Sequence, residues 1–212
     1  MLLKIPFYRN DGEGNQCAQV AMQSVLKYFL NKEYSVEELD RLTDRKKGFW
    51  TWTTQIASAL HELGLDVRFY SKGELEPFLE GESFIRKRFG KDAEKMIKLS
   101  NMPEFIKSIK ILLRHGIFER KILTFKEIES HIKKGHVPIM LVDYREILKG
   151  IKTYQGHFAV VTGFDNDNIF YHASGPRDVK PNKKAPKKTF LKAWNSDSTD
   201  NDVIIVLEKR HN

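Results

Sequence analysis

The sequence predicts an α+β fold in which N-terminal helices pack on a C-terminal antiparallel sheet. In the first third of the chain apolar residues recur at helical spacing, whereas the last third contains short apolar segments separated by turn residues. Helices first and strands later are typical of this class. The 212 residues, 41% hydrophobic and 30% charged, suit one domain over residues 1–212 and exclude wholesale disorder.

The N-terminal helices are predicted from apolar spacing and capping residues. A capping box starts a short helix over Ser35–Leu42, and Thr53 or Thr54 can cap another helix that ends at Leu63. The first helix is predicted over Cys17–Leu30 and is expected to be buried. Its apolar residues at helical spacing are Ala18, Ala21, Met22, Val25, Leu26 and Phe29.

The strands are predicted from short alternating or apolar segments. Leu65–Tyr70 alternates like a short strand, and Asp165–Asn168 has the composition of a turn. The basic run Arg177–Lys188 contains prolines and predicts a solvated loop. Four strands of the sheet are predicted over Val137–Tyr144, His157–Phe164, Asn168–His172 and Val203–Glu208.

Residues 72–136 are predicted to form a helical insertion, whose helical spacing is broken at Gly90, Pro103 and Gly116. Within it, residues 86–134 hold fourteen basic and six acidic side chains, an excess equal to the net charge of +8 of the whole chain. A basic face of this kind is usually solvated. Docking of nucleic acid or of a protein is the alternative interpretation.

Several classes of protein and site are excluded by what the sequence lacks. No apolar run approaches the roughly 18 to 20 residues needed to cross a bilayer. The start, Met1–Pro6, lacks the apolar core of a secretory signal, so the expected location is the cytosol. A single cysteine excludes an internal disulfide and a metal site built on cysteine pairs. No glycine-rich phosphate-binding motif is present, and no cofactor is predicted.

Cys17 and His157 are the residues best placed for chemistry. Cys17 opens a predicted helix, where unpaired N–H groups and the helix dipole lower the pKa of a thiol. The thiol still needs a base. His157 follows a glycine and leads a strongly apolar strand, which would hold its imidazole rigidly. The alternatives are a buried structural cysteine and a histidine satisfied by backbone.

Four segments together resemble the bacteriocin-processing peptidase-like family of the papain-like superfamily. They are Ile5–Asn10, Cys17 at its helix start, Gly156–Asp165 and Phe190–Trp194. His157 follows Cys17 by 140 residues, within the roughly 130 to 150 residues typical of papain-like enzymes. The resemblance implies a papain-like cysteine peptidase fold and peptide substrates, which relatives often cut after small residues such as a double glycine.

The chain departs from the family pattern at three places. Where the family has Cys-Gly-Pro at the helix start, this chain has Cys-Ala-Gln. The family's oxyanion-hole glutamine falls on Asn10 by the motif or on Asp11 by counting, and only Asn10 has an amide that can donate. The aspartate that orients the histidine falls on Ala173. Either Ser174 or His172 substitutes for it, or the site is a dyad.

The resemblance implies a thiol hydrolase that cleaves a peptide or isopeptide amide. Cys17 would attack the carbonyl, His157 would act as base and then acid, and Asn10 with the Cys17 backbone N–H would bind the oxyanion. An acyltransferase would use the same acyl-enzyme. The third alternative is an inactive papain-like binding module.

The predicted partner is a peptide or protein substrate. Trp50 and Trp52 are expected to cover the core, and an aromatic wall for a substrate peptide is the alternative. Nucleic acid is the weaker alternative partner, through residues 86–134.

Overall fold

The computed structural model describes residues 1–11 and 14–209, in which most helices precede most strands along the chain. The helices are α1 (Cys17–Leu30), α2 (Val36–Leu42), α3 (Thr53–Glu62), α4 (Glu82–Phe89), α5 (Ala93–Lys98), α6 (Met102–Arg114), α7 (Phe125–Lys133) and α8 (Lys187–Trp194). The strands are β1 (Leu65–Ser71), β2 (Phe118–Arg120), β3 (Val137–Asp143), β4 (Gly156–Phe164), β5 (Asn168–Ser174), β6 (Val179–Pro186) and β7 (Val203–Lys209). Short 3₁₀ turns cover Glu76–Glu80, Gly90–Asp92 and Tyr144–Glu146.

The strands form one sheet of seven in the order β2-β1-β7-β3-β4-β5-β6. The predicted α+β class is confirmed, and the pairing among the C-terminal strands is antiparallel. The sheet is larger than predicted, because β1 comes from the N-terminal half and pairs with β7. At the edge, β2 lies parallel to β1, with Phe69 opposite Phe118.

Helices cover both faces of the sheet. On strand β4, Val160 points to the core under α1, α3 and α6, whereas its neighbours Ala159 and Val161 point to a second core under α7 and α8. A strand buried on both faces cannot carry polar residues at alternate positions. This explains why β4 reads as a continuous apolar run.

The N-terminal helices follow the predicted spacing and caps. Helix α1 ends at Leu30 and is followed by Asn31, whose backbone is left-handed with φ 52°. Ser35 with Glu38 forms the predicted capping box of α2. The predicted cap of α3 is wrong by one residue. Thr53 is the first helical residue, and Trp52 precedes the helix and donates its backbone N–H to Gln55 Oε1.

Two segments differ from the sequence predictions. The insertion is not wholly helical, because residues 118–120 form β2 at the sheet edge. The basic run is not a loop. Val179–Pro186 forms the other edge strand, β6, whose lysines are largely exposed. Charged side chains protect an open strand edge from pairing with other chains, so a polar composition is compatible with a strand at this position.

The N-terminal segment crosses the sheet and leads to the candidate site. Leu3 donates its backbone N–H to the Thr162 carbonyl at 2.7 Å, and Asn10 donates to the Ser174 carbonyl at 2.7 Å. A side chain at Gly163 would place its Cβ 2.2 Å from the Met1 carbonyl oxygen. A glycine is therefore required where this segment passes β4.

No helix in the described part of the chain combines the length and the apolar character needed to cross a bilayer.

Candidate functional site

The residues that could carry chemistry lie at the edge of the sheet where strands β3 and β5 end and strands β4 and β7 begin. Antiparallel pairing brings the end of β3 and the start of β4 together, with Asp143 opposite Gly156. The end of β5 at Ser174 lies at the same edge, as does Asp202 just before β7. Helix α1 packs on β4 and begins there with Cys17. The strand order thus gathers segments that are far apart in sequence.

The Cys17 thiol is uncharged in the resting structure. Burial raises the pKa of Cys17, and the backbone N–H groups of Phe158, Ala18 and Cys17 itself, together with the charge of Arg45, only partly offset this effect. The expectation that the helix N-terminus lowers the pKa of this thiol is therefore wrong, because burial has the larger effect. Phe158 directly follows His157, so the sulfur lies beside the strand that carries the predicted base.

Polar contacts hold the start of α1 in place. The buried Gln19 amide donates to the hydroxyl groups of Thr43 and Thr51 at 3.2 and 3.0 Å. Arg45 is buried and makes two hydrogen bonds of 2.7 Å to Asp40. The contact between Gln19 and Thr51 connects α1 to the loop before α3.

His157 is buried and packed between an aromatic ring and a hydroxyl group. Only 4% of the residue is exposed. Its ring stacks on Tyr144 with centroids 4.1 Å apart, and Nε2 lies 3.4 Å from Ser174 Oγ. Burial lowers the pKa of His157 to about 3, so the imidazole is neutral at pH 7. Within the described residues, no hydrogen bond joins this ring to the Cys17 sulfur.

Of the two candidates for orienting His157, the structure places Ser174 against the ring. His172 is occupied elsewhere. Its Nε2 lies 3.0 Å from the Ile5 carbonyl oxygen, and its Nδ1 lies 3.3 Å from the Asn182 backbone nitrogen. Both nitrogens of His172 therefore serve the packing of the N-terminal segment and β6.

Asn10 and Asp11, the two candidates for the oxyanion donor, lie in different surroundings. Asn10 is 2% exposed, and neither its amide nitrogen nor its amide oxygen has a partner among the residues that the structure describes. An unpaired buried amide is costly unless a ligand or water completes it. Asp11 is exposed and pairs with Arg9 at 3.1 Å.

The charge state of Cys17 predicts slow alkylation. At pH 7 iodoacetamide should modify Cys17 of the folded protein several-fold more slowly than it modifies N-acetylcysteine, because a raised pKa leaves less thiolate. The alkylation rate should continue to increase at pH values at which an ordinary thiol is already fully ionised. Intact mass measured over time at several pH values gives the rates.

The unfolded chain provides the control for this prediction. In urea, Cys17 should regain the rate of N-acetylcysteine, because burial no longer disfavours its thiolate. Faster alkylation of the folded protein than of N-acetylcysteine at pH 7 would contradict the raised pKa.

Sequence reasoning missed the two tyrosines beside the site. Tyr144 stacks on His157, and Tyr154 lies over Gly156, where its hydroxyl oxygen would be 2.5 Å from an added Cβ. Tyr144 is the last residue of a predicted strand, and only the pairing of β3 with β4 brings it to the imidazole. The glycine before His157 was the available signal for Tyr154, because it leaves room for a neighbouring side chain.

The described residues contain no group of three or more His, Cys, Asp or Glu side chains that could hold a metal ion. The fold is similar to that of a solved peptidase structure. A C39-like peptidase from Bacillus anthracis matches with a TM-score of 0.59 and 11% identity, over 99% of this chain and 98% of that chain. The peptidase domain of Streptococcus ComA, a bi-functional ABC transporter involved in quorum sensing, matches with a TM-score of 0.49 and 16% identity, over 96% and 98%.

The first of these similarities shows a papain-like fold, as the sequence resemblance implied, and at 11% identity it shows the fold alone. The family itself is a different one from that predicted from the sequence segments. The family model described as guanylylate cyclase matches residues 12–206, so the chain belongs to that family.

Proposed function

We propose that this protein is a papain-like thiol hydrolase that cleaves a peptide or isopeptide amide through an acyl-enzyme. One juxtaposition supports this most directly: the Cys17 sulfur lies against the backbone N–H of Phe158, the residue after His157. Asn10, with its unpaired buried amide, is tied by its backbone to Ser174, which contacts the His157 ring. The residues that the sequence nominated for catalysis are Cys17, His157, Asn10 and Ser174.

The proposed reaction begins with neutral groups. His157 accepts the proton of the Cys17 thiol as the sulfur attacks the carbonyl carbon of the substrate. The Asn10 amide and the Cys17 backbone N–H donate to the developing oxyanion. The carbon–nitrogen bond then breaks, and His157 gives its proton to the leaving amine. Water attacks the thioester, the acid product leaves, and the thiol is restored.

Two features of the site are expected to make the reaction slower than in enzymes with a full triad. The imidazole must come within hydrogen-bond distance of the sulfur, a contact that the resting structure does not hold. Ser174 can orient the ring, but a neutral hydroxyl stabilises an imidazolium less than a carboxylate does.

Two alternatives use the same fold. An acyltransferase would pass the acyl group from Cys17 to an amine instead of water. An inactive binding module would retain the fold without the chemistry, and the raised pKa of Cys17 and the lowered pKa of His157 are compatible with it.

Guanylyl cyclisation is a second candidate function, favoured by the family match. That reaction joins the ribose 3′-oxygen of GTP to the α-phosphorus and releases pyrophosphate. Its substrate is highly negative, and the cation whose charge reaches the Cys17 sulfur, Arg45, is already paired with Asp40. A thiol, an imidazole and an amide are better suited to acyl chemistry than to a triphosphate.

A pooled library of fluorogenic peptide amides tests the hydrolase. The wild-type protein should release fluorophore, and acid-quenched samples should show an acyl adduct on Cys17 by intact mass. An added amine that captures the acyl group would identify acyl transfer. The absence of both release and adduct across the library would favour the binding module and contradict the hydrolase.

A chromatographic assay tests the cyclase. The protein is incubated with GTP and Mg²⁺ or Mn²⁺, and the products are separated. Formation of cyclic GMP that the His157→Ala variant fails to make would favour cyclisation over hydrolysis, whereas unchanged GTP would contradict it.

A further inference from the structure

A second cleft opens at the same edge of the sheet and is lined by rings and carboxyl groups. Its volume is about 50 Å³. Trp52, Phe78 and Phe105 form aromatic walls, and Trp52 stacks on Phe105 with centroids 4.3 Å apart. The carboxyl-bearing residues Asp200 and Asp202 also line the cleft. Aromatic faces next to carboxylates form the surroundings that cationic groups prefer.

The chain's own Arg88 demonstrates this preference at the cleft. Its guanidinium lies 5.4 Å from the centroids of both Phe78 and Phe89 and forms an ion pair of 2.5 Å with Asp200. Three residues that line the cleft, Phe78, Phe89 and Asp200, therefore already hold one guanidinium.

Asp202 has no such cation. Its Oδ2 accepts a hydrogen bond of 2.5 Å from the Thr53 hydroxyl, whereas the nearby Ser71 hydroxyl donates to the Asp200 carbonyl oxygen at 3.2 Å. Within the ranges that the structure describes, no Lys, Arg or His forms an ion pair with Asp202. A partly buried carboxyl group with no cation beside it can gain an ion-pair partner when it ionises.

The cleft adjoins the Cys17 site. Thr51, the residue before Trp52 of the cleft wall, accepts a hydrogen bond from the Gln19 amide. Gln19 lies in α1, two residues after Cys17. Tyr154 lies between the two sites. Partial burial of its phenol raises the pKa of Tyr154, and the carboxylates of Asp143 and Asp202 add to the rise.

We infer that this cleft binds a positively charged side chain of the polypeptide substrate, with Asp202 as its ion-pair partner and Trp52 and Phe105 as its walls. Substrates with arginine or lysine near the cleaved bond would then be preferred. The preference rests on the proposed hydrolase, whereas the binding of a cation by the cleft does not.

The charge state of Asp202 is consistent with a missing cation. Burial raises the pKa of Asp202 to about 7, with Asp200 adding to the rise and Arg88 opposing it. Glu74 and Asp200 also line the cleft, and each already pairs with an arginine. A bound cation stabilises the ionised form, so its affinity should increase as the pH rises from about 5 to about 8.

Titration calorimetry with small probes tests the cleft without requiring catalysis. N-acetyl-arginine methylamide and N-acetyl-lysine methylamide are compared with the uncharged N-acetyl-norleucine methylamide on the Cys17→Ala protein. At least one basic probe should bind about tenfold or more tightly than the norleucine probe. Adding Asp202→Asn should remove that difference. This variant should fold, because burial already favours an uncharged group at this position.

Asp197→Asn is the matched control, because Asp197 is an exposed aspartate in the same loop. It should bind the basic probes like its parent. Equal binding of basic and norleucine probes, or equal losses in the two asparagine variants, would overturn the inference. Guanosine, an uncharged molecule that can donate hydrogen bonds to carboxylates, provides a further test. If guanosine binds through Asp202 and neither basic probe binds, the inference is also overturned. Binding of a basic probe by a protein that cleaves no peptide would overturn the hydrolase and leave the cleft intact.

Discussion

Replacing Cys17 with alanine is expected to lower kcat for amide cleavage on the order of 10⁴-fold or more, because no other group in the proposed mechanism can form the acyl-enzyme. His157→Ala should lose a comparable factor. Because the two residues act in one step, the double variant should be little worse than either single variant. The best peptide from the library provides the substrate for these measurements.

His115→Ala is the control for this loss. His115 is exposed at the end of α6, and its substitution should leave kcat within about twofold of the wild type. A Cys17→Ala protein that retains full activity would show that the cleavage comes from another group, and the hydrolase proposal would fail. Circular dichroism should show that both catalytic variants are folded.

Trp194→Ala should cost about 3–5 kcal/mol of unfolding free energy, the largest stability loss expected among these variants. Trp194 is 2% exposed, packs in the core under α8, and donates its indole N–H to the Asp202 carbonyl oxygen at 3.1 Å. The substitution removes a large buried side chain and leaves that carbonyl without its donor. Urea unfolding followed by circular dichroism measures the loss.

Trp50→Ala provides the comparison. Trp50 is partly exposed, with Lys95 over its ring, so its removal should cost about 1 kcal/mol or less. Trp194→Phe should recover most of the packing and lose mainly the hydrogen bond. Unfolding of Trp194→Ala and Trp50→Ala at the same urea concentration would contradict the close packing of Trp194 in the core under α8.

The elements of the fold that were predictable are those whose signals are local. Helix α1 follows from its apolar spacing, and α2 from a capping box that the structure contains. Strand β4 follows from its apolar run. The short strand β2 and the basic strand β6 were missed because each lies at an edge of the sheet, where pairing with one neighbour determines the conformation and side-chain composition is weakly constrained.

The candidate site was predictable in part for the same reason. Cys17 and His157 were nominated by the helix and strand that each begins, and their surroundings were not. The thiol pKa is raised instead of lowered, because burial outweighs the helix N-terminus. Tyr144 and Asp202 reach the site through strand pairing alone.

The sequence by itself determined the α+β class, the helix that begins at Cys17, the strand led by His157 and the charge distribution, because each depends on residues within a few turns or strand positions of one another. Only the tertiary structure decided that Ser174 instead of His172 contacts the imidazole, that Asn10 is buried, and that Arg88 meets Asp200. These contacts join residues up to more than a hundred positions apart. They arise when the chain folds into a single sheet, and no local pattern encodes them.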